Sequence, residues 1–220
     1  MERDGRQTDE PHQKSREGLI MEDRTSIDHI TLCVENLQAA ELLFTKVLGF
    51  HVIWSAKDVG SDKSSMNTIV VQRGSAKIAL MEGHNKLVTS QINEFIKKHG
   101  QGVQHFALEV DDIEAVSREW EANGVRFSGP LKEGCDGFGP LKQRFTYPLF
   151  PASGLFIELT QRKQGEERAQ TFVRETVEAL YEDIERHQLA GNECTIIDYE
   201  RSPISPTTQR CEGDPMRRAL

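Results

Sequence analysis

Asp28-His29-Ile30-Thr31-Leu32-Cys33-Val34 and Gln104-His105-Phe106-Ala107-Leu108-Glu109-Val110 are one pattern written twice. The offset is 76 residues, and it superimposes more than the histidines. Leu32 falls on Leu108, Val34 on Val110, Leu37 on Ile113 and Phe44 on Trp120. Each copy reads as a strand, followed by a polar turn, Glu35-Asn36 or Asp111-Asp112. Apolar residues at helical spacing come next: Leu37, Ala40, Leu43 and Phe44 in one copy, Ile113, Val116 and Trp120 in the other. Gly49 and Gly124 suit the residue after each helix, where positive φ is favoured. β-rich stretches complete the copies, at 50–55, 68–71 and 77–81 in the first and at 125–128, 144–149 and 155–160 in the second. Self-similarity at a fixed period marks a repeated supersecondary unit. The fold class expected is α+β, built from two βαβββ modules in tandem.

Working outward, the modules span about 27–83 and 102–162 of a domain covering 26–189. A short helix at 90–98, with Ile92, Phe95 and Ile96 on its apolar side, lies between them. A longer helix at 166–188, with Val173, Val177, Leu180 and Ile184 on one face, follows the second. Residues 1–25 are densely charged, and 190–220 carry Pro203, Pro206 and Pro215 among polar residues. Neither can bury enough apolar surface to offset its ordering entropy, so both are expected to be disordered tails, although Thr195-Ile196-Ile197 could dock.

Over all 220 residues, 27 Lys+Arg against 35 Asp+Glu leave a net charge of −8. That balance argues against nucleic acid or an anionic membrane as the main partner. No apolar run is long enough to span a bilayer, and the first residues lack a secretory apolar region. Cys33, Cys135, Cys194 and Cys211 are scattered without CxxC spacing, the pattern of a reduced, cytoplasmic protein.

The repeat places His29 and His105 at equivalent positions, where two related strands of a pseudo-symmetric sheet can turn them into one cavity. Glu158 lies in Leu155-Phe156-Ile157-Glu158-Leu159-Thr160, with Phe156 and Thr160 on its face. A carboxylate there is costly to bury without a partner, and a divalent metal is a good one. Two imidazoles and one carboxylate make the facial set that holds non-haem Fe(II) with positions left open. Taken singly, a strand histidine is more often a satisfied core or surface residue, and a strand glutamate usually faces water. The coincidence of the two histidines at the repeat offset is what favours metal. The other histidines, 12, 51, 84, 99 and 187, read as surface, loop or helix-end residues. Cys33 alternates with Thr31 and His29, and could line the same cavity.

Three segments carry a resemblance: Gly102-Val103-Gln104-His105-Phe106-Ala107-Leu108, Ser90-Gln91-Ile92, and Leu155-Phe156-Ile157-Glu158-Leu159-Thr160-Gln161-Arg162. Together they resemble the catalytic half of the 4-hydroxyphenylpyruvate dioxygenase family, within the vicinal-oxygen-chelate superfamily, over residues 27–188. The resemblance implies one open, barrel-like mixed sheet (the vicinal-oxygen-chelate or glyoxalase fold), without the family's N-terminal barrel. It implies metal ligands at His29, His105 and Glu158, active-site glutamines at Gln91, Gln104 and Gln143, and a ring-sandwiching pair at Phe145 and Phe156. Thr68 falls where the family has a serine hydroxyl, and the last helix matches its gate over the pocket. Two departures stand out: Met81 replaces an asparagine near the substrate's ring end, and Val177 replaces the aromatic residue of the gate.

The activity implied is an Fe(II)-dependent dioxygenase that uses O₂ to decarboxylate and hydroxylate an aromatic or bulky 2-oxo acid. Other metal-dependent enzymes of the superfamily are the alternative: an extradiol dioxygenase, an isomerase or a lyase. So is a non-catalytic small-molecule binder. Ring cleavage needs a second-shell histidine and tyrosine, for which Tyr147 and Tyr181 offer no obvious partner. Glyoxalase-type proton transfer needs a further glutamate, for which Glu82 and Glu109 are weak candidates. A homodimer is expected, because superfamily modules often pair through their sheets.

Overall fold

The two matched segments become the central strands of one curled eight-stranded sheet. The computed structural model describes residues 25–136, 139–150, 152–162, 174–189 and 194–198. The expected tails, apart from Thr25 and 194–198, fall outside the described residues. So do residues 166–173 of the expected gate helix.

Strand β1 (Ser26–Cys33) leads through α1 (Leu37–Leu42) and a π-helical turn (Leu43–Val47) into β2 (His51–Gly60), β3 (Ser64–Arg73) and β4 (Ala76–Asn85). Helix α2 (Gln91–His99) links to β5 (Gly102–Glu109), α3 (Ile113–Ala122), β6 (Lys132–Asp136), β7 (Gly139–Phe145), β8 (Phe156–Arg162) and α4 (Arg174–Leu189). The strand order is β2-β3-β4-β1-β5-β8-β7-β6. Within each half the first strand pairs parallel with the last, and the other neighbours are antiparallel.

The polar turns of the repeat become helix caps. Asn36 Oδ1 accepts from the Ala39 amide at 2.8 Å, and Asp112 Oδ1 accepts from the amides of Glu114 and Ala115. Ser90 does the same for α2 through the Asn93 amide.

Two expected strands differ. Residues 125–128 contribute a single bridge, Phe127 to Thr146, and the edge strand is Lys132–Asp136 instead. The reason is a competing partner. The Arg126 amide donates to the Ile196 carbonyl at 2.6 Å, and its guanidinium holds the Thr195 and Ile197 carbonyls. The Ile196 amide in turn donates to Pro148, so the Thr195–Ile197 stretch docks with both isoleucines buried. That contact uses the hydrogen bonds a strand at 125–128 would need. β7 ends at Phe145 because Tyr147 turns its amide to Arg126 and Pro148 has none to give.

Helix α4 roofs the sheet's concave face and is tied to both halves. Tyr181 Oη and Ser64 Oγ lie 2.7 Å apart, the Ser64 hydroxyl also donates to Glu185, and Ser61 Oγ reaches the same carboxylate at 3.1 Å. On the other side, Lys132 Nζ lies 2.7 Å from Asp183. Gly60, at φ +137°, permits this approach: a Cβ there would lie 2.8 Å from the Ser64 carbonyl and 2.9 Å from the Tyr181 ring.

Candidate metal centre

β1 and β5 run antiparallel, with Thr31 opposite His105, Ile30 opposite Phe106 and His29 opposite Ala107. Given the 76-residue offset, this register is symmetric about the Ile30–Phe106 pair. It carries His29 and His105 to the same concave face, with ring centroids 5.7 Å apart and planes at 80°. β8 lies parallel to β5 and sets Glu158 beside Ala107, on that face. Glu158 Oε2 is 3.5 Å from His29 Nε2 and 3.4 Å from His105 Nε2. All three side chains are buried, and one donor atom from each falls within 4.8 Å of the others.

Each donor is oriented by a further group. Glu158 Oε1 accepts from Gln143 Nε2 at 2.6 Å and from Thr160 Oγ1 at 2.7 Å, which leaves Oε2 to face the imidazoles. His29 Nδ1 meets Asp28 Oδ2 at 2.8 Å. His105 Nδ1 is 3.2 Å from Gln104 Oε1, and Gln104 Nε2 donates to Gln91 Oε1 at 3.0 Å. Each ring thus has its Nδ1 partnered away from the cavity and its Nε2 turned toward Glu158.

Burial and the neighbouring groups act on this cluster in opposite directions. Burial alone would push the Glu158 carboxyl up, but the His29 charge and the His105 hydrogen bond bring it down to about 2. Burial pushes the His105 imidazole down, against the pull of Glu158. Burial would also raise Asp28, yet its bonds from His29 and Arg162 hold it well below the usual carboxylate range.

The cavity in front of these donors has a polar end and an apolar wall. Thr31, Thr68 and Gln143 join the ligands, while Trp54, Val70, Ala79, Met81, Val177 and Leu180 supply the wall. Thr31 Oγ1 and Gln143 Oε1 are buried with no hydrogen-bond partner among the described residues. Orphaned polar atoms beside two imidazoles and a carboxylate fit a site built for an ion and a polar ligand. The donor chemistry suits a borderline divalent metal.

The sequence candidates fall in two groups. His29, His105, Glu158, Gln143 and Thr68 line the cavity together. Gln91 and Gln104 sit behind His105, bonded to each other. Phe156 stacks on His105 at 4.7 Å between centroids, and Phe145 meets Phe156 edge-on at 6.5 Å and 82°. The two phenylalanines therefore contact one another and α4 through Leu180, and enclose no parallel slot. Cys33 lies deeper, in a core cluster with Val59, Met66 and Tyr181, and burial pushes its thiol up. Sequence reasoning missed Trp54, Asp28 and the Arg162 side chain. Only Asp28, adjacent to His29, left a signal that could have been followed.

The sequence profile of the Glyoxalase/Bleomycin resistance protein/Dioxygenase superfamily matches residues 28–139. The 4-hydroxyphenylpyruvate dioxygenase of Yarrowia lipolytica is 30% identical over 200 residues, covering 73% of this chain and 50% of that one. Its counterpart in Pseudomonas aeruginosa is 28% identical, covering 75% and 53%. A triple mutant of 4-hydroxymandelate synthase from Streptomyces coelicolor superimposes with a TM-score of 0.69 at 28% identity, over 75% of this chain and 56% of that one. The chain thus spans about half the length of the curated relatives it matches. With a profile match across more than half its residues, it belongs to the Glyoxalase/Bleomycin resistance protein/Dioxygenase superfamily.

Proposed function

We propose that the protein is an Fe(II)-dependent dioxygenase of the 4-hydroxyphenylpyruvate dioxygenase type, acting with O₂ on a 2-oxo acid with an aromatic or bulky apolar side chain. The observation that carries this reading is the buried group of His29, His105 and Glu158 at the polar end of an otherwise apolar cavity. Held by His29, His105 and Glu158, ferrous iron would supply, with O₂, the redox chemistry of oxidative decarboxylation and hydroxylation.

The chain's own residues do the rest. Gln143 and Thr160 hold Glu158 with one oxygen turned to the site. The free Oε1 of Gln143 and the hydroxyls of Thr31 and Thr68 face the ligand's polar groups. Gln91 and Gln104 orient His105, and Phe156, braced by Phe145, backs its ring. Trp54, Val70, Met81, Val177 and Leu180 exclude water around the substrate's side chain, which strengthens every charge interaction inside.

The test is anaerobic loading with Fe(II), then O₂ uptake with a panel of 2-oxo acids. The expected result is stoichiometric metal and substrate-dependent uptake, both lost in His105→Ala and Glu158→Ala. Metal binding that survives both substitutions unchanged would overturn the reading.

Two further readings belong with it. Leu42, Leu43, Val47, Leu48 and Val52, from the end of α1 through the π-helical turn to the start of β2, are each exposed, which supports a homodimer. A monomer mass in light scattering at micromolar concentration would refute that. Cys33 and Cys194 are free thiols, and among the described residues no helix is long and apolar enough to cross a membrane, which is consistent with a reducing, cytoplasmic setting.

A further inference from the structure

Asp28 and His29 are neighbours in sequence, yet both are buried, at 3% and 2% exposure. In an even strand they would point to opposite faces. The pairing of β1 with β5 shifts register between Ile27 and His29, so Asp28 is an extra residue there. The irregularity brings its carboxylate alongside its neighbour's ring.

In that position Asp28 gathers donors from three strands. Its Oδ2 accepts from His29 Nδ1 at 2.8 Å and from Arg162 Nη2 at 3.0 Å. Its Oδ1 accepts from Arg162 Nε at 3.0 Å and from Lys77 Nζ at 2.6 Å. Arg162 ends β8 in the second module, and Lys77 lies in β4 of the first. A buried carboxylate without such partners would cost several kcal/mol. The bidentate guanidinium and the ammonium offset that cost and occupy both oxygens. Asp28 is therefore no fourth metal ligand, although it is next to one.

A neutral imidazole has one donor nitrogen and one acceptor, so the partner on Nδ1 decides what Nε2 can do. The two ligand imidazoles have different partners. His105 has the neutral amide of Gln104, and His29 has a carboxylate locked by two cations. We propose that Asp28 is a positioning residue of the metal centre, fixing the tautomer and ring plane of His29 while Lys77 and Arg162 hold it in place from both modules. The inference rests on the metal-binding reading above and assigns the groups that set one of its ligands.

Two measurements test it, neither needing turnover. The first uses the unaltered protein loaded with diamagnetic Zn(II): ¹⁵N shifts of the His29 ring should report Nδ1–H with Nε2 on the metal. The second compares Co(II) and Fe(II) affinity, by competition with a chromophoric chelator, in the unaltered protein and in Asp28→Asn. The expected loss is about 10- to 100-fold, the range found when the outer partner of a metal-bound histidine is removed. A changed Co(II) absorption spectrum should accompany it, and Asp28→Glu should restore part of the affinity. A role confined to stability would lower the Tm and leave affinity and spectrum alone. Nδ1 rather than Nε2 on the metal, or unchanged affinity in a folded Asp28→Asn, overturns this proposal alone. Absence of any metal binding by the unaltered protein removes the function reading and this proposal with it. Should Asp28→Asn fail to fold, the tautomer measurement decides.

Discussion

Glu158 uses its two oxygens differently: Oε1 takes both hydrogen bonds from the protein, and Oε2 faces the two imidazoles. The cluster has a pH signature whose sign follows from burial. His105 resists protonation in the fold, whereas in the unfolded chain it takes up a proton near its ordinary value of 6.5. Its contribution to stability is therefore full above pH 6.5 and is lost as pH falls below it. Glu158, drawn down from 4.5 to about 2, adds a second loss of the same sign across that lower window. The Tm of the apo protein is expected to fall between pH 7.5 and pH 5.5, and the slope to flatten in His105→Asn. Calorimetry across that range checks it, and an equal slope in the two proteins would contradict the assignment. Of these residues, sequence reading reached His29 and His105 through the repeat and Glu158 through strand alternation, and the structure brings the three together. It did not reach Asp28, Lys77 and Arg162 as a group, since a contact spanning 134 residues leaves no periodic trace.

Elements were legible where their pattern is local. Strands β1 and β5, helices α1 to α3 and their caps follow from alternation, helical spacing and a polar residue at the right turn. The 125–128 segment was not, because its backbone partners come from a stretch some 70 residues later. Helix α4 shows the same limit. Its apolar face was visible, but its latch consists of Ser64, Tyr181 and Glu185, polar residues with no common motif. Tyr181→Phe removes a buried hydroxyl and leaves Ser64 one partner fewer. A loss of about 1 kcal/mol is expected, the usual net value of one such bond. Amide exchange in α4 should accelerate more than exchange in β1 or β5 if the helix is the part released. Uniform acceleration across the sheet would show that the latch serves global stability instead.

At the scale of the whole molecule, the two modules are nearly equivalent in backbone and unequal in chemistry. Thr31 stands beside Ala79 as Ala107 stands beside Glu158. The pseudo-symmetric mate of Glu158 is thus an alanine on the cavity wall. By the same register Thr68 mirrors Gln143, and Val70 mirrors Phe145. The first module has no carboxylate at that position and supplies apolar wall instead. Ala79→Glu would place a fourth donor opposite Glu158. It is expected to hold Co(II) at least as tightly while abolishing substrate-dependent O₂ uptake, because the open positions close. Calorimetric titration with metal and an oxygen electrode read the two effects separately. Retained uptake at normal rate would mean that residue 79 does not face the metal.

The amino-acid sequence alone determined the repeat, the α+β class, the histidine pair and the carboxylate, since each depends on periodicity within one strand or on a fixed offset between two. Only the tertiary structure decided which polar groups orient those side chains, which module keeps the cavity apolar, and that Phe145 and Phe156 meet edge to face. Those outcomes depend on register between strands distant in sequence and on a local bulge in β1. Register is a property of paired backbones, set when both faces of the sheet find their partners, and no single strand carries it.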